Sequence, residues 1–139
     1  MNLSKIESFI SEHHILNLAT CKNNIPQCAT LFFAYNSKEV AFIVASDEKT
    51  EHIENILKNN KVAGTIALET KTVGKIQGIQ FQADICLSNF KEDKRLYFKT
   101  FPYALAMNPT LWRIKLTYIK LTDNRLGFGK KIIYEVASL

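Results

Sequence analysis

Residues 78–87 read Gly-Ile-Gln-Phe-Gln-Ala-Asp-Ile-Cys-Leu, and this stretch carries the clearest structural signal in the chain. From Ile79 and Phe81 onward, apolar residues alternate strictly with polar or small ones. Such a period is typical of a β-strand with one buried face, because successive side chains of a strand point to opposite sides. The stretch therefore predicts a sheet with one dry face and one face turned to solvent.

Further strand and helix patterns flank this segment. They predict strands over 15–21, 27–35, 39–45, 62–68, 78–87, 111–121 and 132–136, helices over 4–13, 48–59 and 90–101, a connector over 103–109 and a turn over 122–129. Most of these strands follow one another through short turns, with the helices at the ends. This order predicts a mainly β (α+β) fold, a small antiparallel barrel.

Two of these strands carry additional predictions. In 111–121 the apolar residues change parity after Tyr118, which predicts a β-bulge between Thr117 and Ile119. The strand at 39–45 is apolar on both faces. We therefore expect one face to meet the core and the other to be covered by a partner or a ligand.

The composition fits a single domain over 1–139. Of the 139 residues, 47% are hydrophobic and 22% are charged, and the formal net charge is +5. The lysines are scattered and arginine is scarce, which argues against a nucleic-acid surface. No apolar run approaches the roughly 20 residues of a membrane helix, and the first residues do not resemble a signal peptide, so we expect a cytoplasmic protein. Cys21, Cys28 and Cys86 lack the spacing of a disulfide framework or a zinc site.

The segment 40–62 runs from a buried strand directly into a helix that begins near Lys49, Thr50 and His52. Such a junction brings unpaired backbone N–H groups, the positive end of the helix dipole and cationic side chains to one place. One interpretation is a phosphate site. The other is an ordinary helix start on a solvated face, in which acids such as Asp47 and Glu48 serve as cap and first-turn charges.

Several segments together resemble a known family. The run HHILNLATCKNNIPQCATLFFAYN (13–36), the apolar strand, the T-x-H of 50–52 and VAGTIAL (62–68) resemble the FMN-binding split barrels related to pyridoxamine 5′-phosphate oxidase. More narrowly, DEKTEH (47–52), GIQFQADI (78–85) and IKLTDNRLGFGKK (119–131) resemble the uncharacterised bacterial YhbP-like group. The resemblance covers nearly the whole chain and implies a six- to seven-stranded antiparallel split β-barrel with two to three short helices.

The same resemblance implies a homodimer with FMN in a groove between the subunits. It assigns the isoalloxazine edge to the backbone of the second strand at Ala29, Thr30 and Leu31. It assigns the phosphate of FMN to Thr50 and His52, with Lys49 beside them. Ser46, which closes the preceding strand, offers one more hydroxyl.

The resemblance gives His52 and Trp112 specific interpretations. His52 stands where relatives place a lysine, which keeps a hydrogen-bond donor but makes its charge depend on pH. Trp112 either stacks on a cofactor or belongs to the core. A core position is favoured because Trp112 shares its parity with Ile114 and Leu116.

The resemblance implies a small FMN-dependent oxidoreductase or flavin reductase, with NAD(P)H as the candidate electron donor and no nucleic-acid or membrane partner. In that chemistry no side chain need be an acid or base, and the catalytic residues are left open. Haem, a deazaflavin or no cofactor are alternatives to FMN. The corresponding alternative functions are a non-catalytic flavin or haem binding or sensing module and a cofactor-free interaction dimer.

Overall fold

A computed structural model describes residues 3–127 and 129–136 of the chain. The helices are α1 (Leu3–Ser11), α2 (Glu51–Lys58) and α3 (Lys91–Thr100), and the strands are β1 (Ile15–Lys22), β2 (Ile25–Asn36), β3 (Ala41–Ala45), β4 (Lys61–Ala67), β5 (Gln77–Leu87), β6 (Leu111–Asp123) and β7 (Lys131–Glu135). The predicted elements are confirmed in number and order. The predicted connector is a 3-10 turn, Pro102–Met107. Phe128, in the predicted turn at 122–129, lies outside the described residues, as do the chain ends.

The sheet closes into a barrel. Its strand order is β3-β2-β1-β4-β5-β6-β7, all neighbours are antiparallel, and β3 also pairs with β6. Side chains of one parity fill the interior, where Phe33, Phe42 and Phe81 form a chain of ring contacts. Helix α1 adds Ile6, Phe9 and Ile10 to this core. No helix in the described part of the chain is long and apolar enough to cross a membrane.

The predicted bulge in β6 is confirmed. The register between β5 and β6 shifts between Gln82, which faces Tyr118, and Ala83, which faces Leu116. Thr117 is therefore the extra residue, and its hydroxyl donates to the carbonyl of Gln82 at 3.1 Å. Because of the bulge, the apolar residues at both ends of this long strand face the core.

The expectation that a partner or ligand covers the second face of β3 is wrong. Helix α3 covers it: Ile43 of β3 packs in a second cluster with Ala34, Tyr97 and Leu111. The strand is thus buried on both sides within one chain, which explains its apolar sequence on both parities.

A buried ionic network holds α3 against the barrel. The carboxylate of Asp93 is fully buried and accepts hydrogen bonds from Arg113 Nε at 2.8 Å, Ser88 Oγ at 2.6 Å and Asn36 Nδ2 at 2.9 Å. The guanidinium of Arg113 also lies 3.9 Å from the centre of the Phe90 ring. Burial alone would raise the pKa of Asp93, but the hydrogen bonds from Arg113, Ser88 and Asn36 outweigh burial and lower it.

Two elements begin two or more residues later than predicted. Strand β3 begins at Ala41 rather than residue 39 because Val40 has a positive φ of 49°, a conformation that a β-branched side chain disfavours and that ends strand geometry. Helix α2 begins at Glu51 rather than residue 48 because a turn precedes it, in which the Thr50 N–H donates to the Asp47 carbonyl at 3.1 Å.

Gly64 is the glycine that the packing requires. A Cβ at this position would lie 2.3 Å from the carbonyl oxygen of Asn17 and 2.3 Å from the Phe81 ring. We expect Gly64→Ala to lower the free energy of unfolding by about 1–3 kcal/mol, as overpacking does. Chemical denaturation measures this loss. Gly74→Ala is the matched control, because a Cβ there meets nothing within 4 Å; equal effects of the two substitutions would contradict the packing argument.

Candidate functional site

Three side chains from the predicted phosphate position meet where β3 ends and α2 begins. His52 Nε2 lies 2.6 Å from Ser46 Oγ and 3.3 Å from Thr50 Oγ1, and the two hydroxyl oxygens are 3.3 Å apart. All three residues are half-buried. We call Ser46, Thr50 and His52 the hydroxyl–imidazole cluster; it is a compact set of polar groups that hydrogen-bond to one another.

Ser46 is fixed in place by the adjoining end of β6. Its N–H donates to the carbonyl of Thr110 at 3.0 Å, and its own carbonyl accepts from the indole Nε1 of Trp112 at 3.0 Å. Trp112 is only 3% exposed and belongs to the main core. Its observed contribution to the cluster is therefore to position Ser46.

The start of α2 supplies backbone donors. Thr50 is the N-cap residue, but its side chain makes no capping hydrogen bond to the helix and donates instead to the carbonyl of Asp47 at 2.9 Å. The N–H groups of the first turn, including that of His52, have no acceptor within the helix. Asp47 accepts from the Lys49 N–H at 2.8 Å, so this acid shapes the preceding turn and does not cap α2.

The partly buried surroundings of His52 favour its neutral imidazole. Burial lowers the pKa of His52 from its ordinary value, because the partly buried site disfavours the imidazolium. The cluster therefore carries little positive charge near neutral pH.

A cleft of about 540 Å³ opens beside the cluster. Its walls come from the end of β3, from α3 and from the segment after the Pro102–Met107 turn; they include Ser46, Lys49, Tyr97, Met107 and Asn108. This volume is within the roughly 300–1,000 Å³ of small-molecule sites. Burial raises the pKa of the Tyr97 hydroxyl, so this group remains protonated at the cleft wall.

Over residues 3–127 and 129–136, no strand pairs with one edge of the first half of β2. Strand β3 pairs only with residues 33–36 of β2, whereas β1 pairs with residues 25–32. The Phe33 N–H donates toward β1, to the carbonyl of His14. Backbone groups alternate along a strand, so those of Ala29 and Leu31 also point to β1, while Thr30 presents its N–H and carbonyl to the unpaired edge.

The unpaired edge lies near the cluster. Because Phe33 faces Val44 in the β2–β3 register, Leu31 lies at the level of Ser46. The side chain of Leu31 packs against the main core, and that of Thr30 points to the outer face of the sheet. The structure thus brings together one end of the predicted ring-binding strand and the predicted phosphate-binding residues.

Comparison with known proteins identifies relatives along the whole chain. A UPF0306 protein from Photorhabdus laumondii is 35% identical over 137 residues, covering 96% of this chain and 96% of the relative. The UPF0306 protein YhbP from Salmonella arizonae is 35% identical over 133 residues, covering 94% and 90% of the two chains. The chain belongs to the UPF0306 family. No family model matches this UPF0306 protein.

Solved structures similar to the UPF0306 protein share its split barrel. A haem-binding protein from Mycobacterium smegmatis superposes with a TM-score of 0.79 at 10% identity, covering 97% of this chain and 58% of that one. A NimC/NimA family protein from Clostridium acetobutylicum gives 0.70 at 16% identity, covering 96% and 92%. An FAD-binding protein from Mesorhizobium loti gives 0.70 at 12% identity, covering 85% and 91%. The relatives confirm the predicted resemblance to the YhbP-like group, and the solved structures confirm the split-barrel fold.

Some features of the site in this UPF0306 protein had not been predicted. Tyr97 and Asn108 line the cleft from segments predicted as a helix and a connector, because only the folded chain brings them beside β3. The sequence indicates the Asp93–Arg113 pair only weakly, through the position of Asp93 one helical turn before the apolar Tyr97. Among the described residues, no three His, Cys, Asp or Glu side chains converge on a metal position.

Proposed function

We propose that this protein binds FMN at the cleft and acts as a small flavin-dependent oxidoreductase or flavin reductase in the form of a homodimer. The observation that carries the proposal is the hydroxyl–imidazole cluster, which lies at a helix N-terminus, beside a cleft of suitable size and near an unpaired strand edge. Similar structures described as flavin-binding or haem-binding proteins support a planar cofactor on this fold.

The phosphate of FMN would replace the hydrogen bonds within the cluster. The hydroxyls of Ser46 and Thr50 and the imidazole of His52 can each donate to phosphate oxygens, and the first N–H groups of α2 add further donors. Lys49, exposed at the cleft wall, contributes a cation. The indole Nε1 of Trp112 keeps Ser46 in position by donating to the Ser46 carbonyl.

The ring of the cofactor would lie along the unpaired edge of β2. The N–H of Thr30 can donate to a polar atom of the isoalloxazine rim, and the neighbouring backbone of Ala29 and Leu31 fixes the strand against β1. When bound, the flavin supplies the hydride chemistry, with NAD(P)H as the proposed electron donor. The protein supplies position and electrostatic stabilisation.

A second copy of the chain would cover the outer face of the sheet. Ile15 and Phe32, which face each other across β1 and β2, are 48% and 56% exposed. Beside them Thr30, Asn17 and Thr65 form a hydrogen-bonded row across three strands. Thr30 has its side chain on this outer face and its N–H on the unpaired edge, so a partner on this face would lie beside the flavin.

The dimer has a direct test. We expect sedimentation of the purified protein to give the mass of two chains, since the shared groove requires a two-fold pair. Asn17→Arg should shift the protein to the monomer, because it introduces a bulky charge at the centre of the apolar and neutral face. Lys61→Arg, on an exposed edge of the same sheet, is the control. A wild-type monomer would contradict the proposed groove.

The cofactor is tested by the absorption spectrum of the purified protein. Paired near-ultraviolet and blue bands, present at isolation or acquired with added FMN, are the expected result. Mixing the flavin-loaded protein with NADPH or NADH without oxygen should bleach the blue band. A colourless protein that does not bind added FMN would contradict the proposal, and binding without reduction would indicate a non-catalytic module.

Haem is a second candidate because of one local feature. His14 is exposed, and its ring meets Phe101 edge-on at 6.5 Å, while Phe101 contacts the exposed Phe32 at 5.5 Å. An accessible imidazole beside aromatic rings offers an axial ligand and a stacking surface. If haem is the ligand, added haemin should give a sharp Soret band that His14→Ala abolishes; a band unaffected by that substitution would exclude this site.

The neutral His52 makes FMN affinity depend on pH. A bound phosphate dianion would raise the pKa of His52, so binding takes up a proton. The resulting gain in FMN affinity is complete below the pKa of His52 in the free protein. It disappears as pH rises through the pKa of His52 in the complex. We therefore expect affinity to fall as pH rises from the lowered pKa of the free His52 through the neutral range, by at most about tenfold per pH unit. The phosphate, with a pKa of about 6, stays largely dianionic in the neutral range.

The substitution His52→Lys isolates this effect. Lysine keeps its charge over this range, so the variant should bind FMN more tightly at the alkaline end and lose most of the pH dependence. The other charged groups of the segment, Asp47, Glu48, Lys49 and Glu51, are exposed and unchanged in the variant. Titration of flavin fluorescence at several pH values measures both effects; a variant that keeps the wild-type slope would show that His52 is not its source.

A further inference from the structure

A second cleft adjoins the first. It has a volume of about 560 Å³ and lies between the end of β5, the middle of α3 and the segment that leads into β6. The two clefts share a wall formed by Glu48, Asn108, Pro109 and Thr110. A ligand in the second cleft would thus lie beside whatever occupies the first.

Two cations line only the second cleft. Lys94 and Arg95 lie side by side in α3, and both are exposed. In the part of the chain that the structure describes, neither side chain has an ion pair or a hydrogen-bond partner. Glu48, on the shared wall, is the one acid among the described lining residues, which leaves the lining with a net positive charge.

The buried network engages both acids of α3. Arg113 contacts Asp93 at 2.8 Å and Glu92 at 3.1 Å. Glu92 lies three residues before Arg95 and is the acid of this helix placed to pair with it, so its contact with Arg113 leaves Arg95 available to a ligand. The hydroxyl of Ser88, which also lines the cleft, donates to Asp93 and is likewise committed.

The remaining walls are apolar. Phe98 of α3, Leu87 of β5 and Leu105 of the 3-10 turn line the cleft, and Leu87 and Leu105 are exposed. Exposed apolar side chains around a pair of unpaired cations suit a ligand with an anionic group and an apolar or aromatic body.

We propose that this second cleft binds an organic anion, with a phosphate or carboxylate against Lys94 and Arg95 and an apolar body on Phe98 and Leu105. This assignment rests on the proposed flavin function. The occupant of the second cleft is then the second substrate, which reaches the flavin across the wall at Glu48. The chemistry fits either a phosphorylated nucleotide or an aromatic carboxylate. The two sources are separated by the probes below.

The test uses two non-reactive probes, 2′,5′-ADP and salicylate, titrated calorimetrically into the full-length protein with and without FMN. We expect Lys94→Ala combined with Arg95→Ala to weaken binding of a probe by about tenfold or more, because two charge-assisted contacts are lost. FMN affinity should stay within about twofold, since neither residue lines the first cleft.

The matched control is Lys91→Ala combined with Lys99→Ala. It removes the same charge from the same helix, but these exposed lysines do not line the cleft. If Lys94→Ala combined with Arg95→Ala weakens the binding of 2′,5′-ADP alone, the ligand group is a nucleotide phosphate. If it weakens the binding of salicylate alone, the ligand group is a carboxylate. Equal losses in both double variants, no loss, or no binding of either probe to the wild type would overturn the proposal. Probe binding without FMN binding would retain the anion site and reject the flavin function.

Discussion

Replacing Asp93 by alanine is expected to lower the free energy of unfolding by about 3–5 kcal/mol, the loss typical of a broken buried ion pair. The substitution leaves the guanidinium of Arg113, whose side chain is 9% exposed, without its main partner. It also leaves Ser88 and Asn36 without their acceptor. Since domains of this size are stable by only about 5–15 kcal/mol, urea denaturation should show a large shift of the midpoint.

Two other variants make this prediction specific. Asp84→Ala removes an ion pair with Lys61 whose side chains are 39% and 73% exposed, and should cost less than about 1 kcal/mol. Asp93→Leu combined with Arg113→Met removes both buried charges and should recover part of the loss. If Asp93→Ala cost no more than Asp84→Ala, the network would not be what holds α3 to the barrel.

The Asp93 network also predicts the response to acid. Because its hydrogen bonds lower the pKa of Asp93 in the folded protein, the stabilisation is present above the pKa of the unfolded chain. It is lost as pH falls through the lower pKa of the folded state. The stability difference between wild type and Asp93→Asn, measured by denaturation, should therefore shrink in acid; a difference independent of pH would contradict this linkage.

Removing the phosphate ligands is the second large effect. Thr50→Ala combined with His52→Ala should weaken FMN binding by about tenfold to several hundredfold near neutral pH, because it deletes two donors from a partly buried anion site. Fluorescence titration gives the affinities. The fold should persist, since the side chain of Thr50 makes no capping bond to α2.

A control for this variant comes from the same part of the sequence. Glu51→Ala changes an exposed acid between the two ligands and should leave affinity unchanged or slightly improved, because it removes a charge that repels phosphate. Equal weakening by Glu51→Ala and by the double variant would point to a perturbed helix start. Unchanged affinity in the double variant would place the phosphate elsewhere.

The local sequence patterns were sufficient for most of the fold. Strict alternation in β5 and the parity change at Thr117 depend on which side chains face the core, and that periodicity is present in the chain itself. The starts of β3 and α2 were missed because they depend on particular backbone conformations. The positive φ of Val40 and the turn at Asp47 leave no mark on the hydrophobic pattern.

The site was predictable only in part, for a related reason. Thr50 and His52 are neighbours in sequence, so a motif could place them together, and the structure adds Ser46 at hydrogen-bonding distance. Tyr97, Asn108 and the two unpaired cations of the second cleft come from segments far along the chain. Their meeting depends on α3 docking through Asp93, a tertiary contact that periodicity does not encode.

Titration of the wild-type protein with FMN and with riboflavin shows whether the hydroxyl–imidazole cluster holds a phosphate. The two molecules share the same ring and differ at the phosphate that Ser46, Thr50 and His52 are proposed to hold. We predict that FMN binds at least about tenfold to a hundredfold more tightly than riboflavin near neutral pH, as expected for charge-assisted hydrogen bonds at a helix N-terminus. Equal affinity for the two, or no binding of either, would contradict the account.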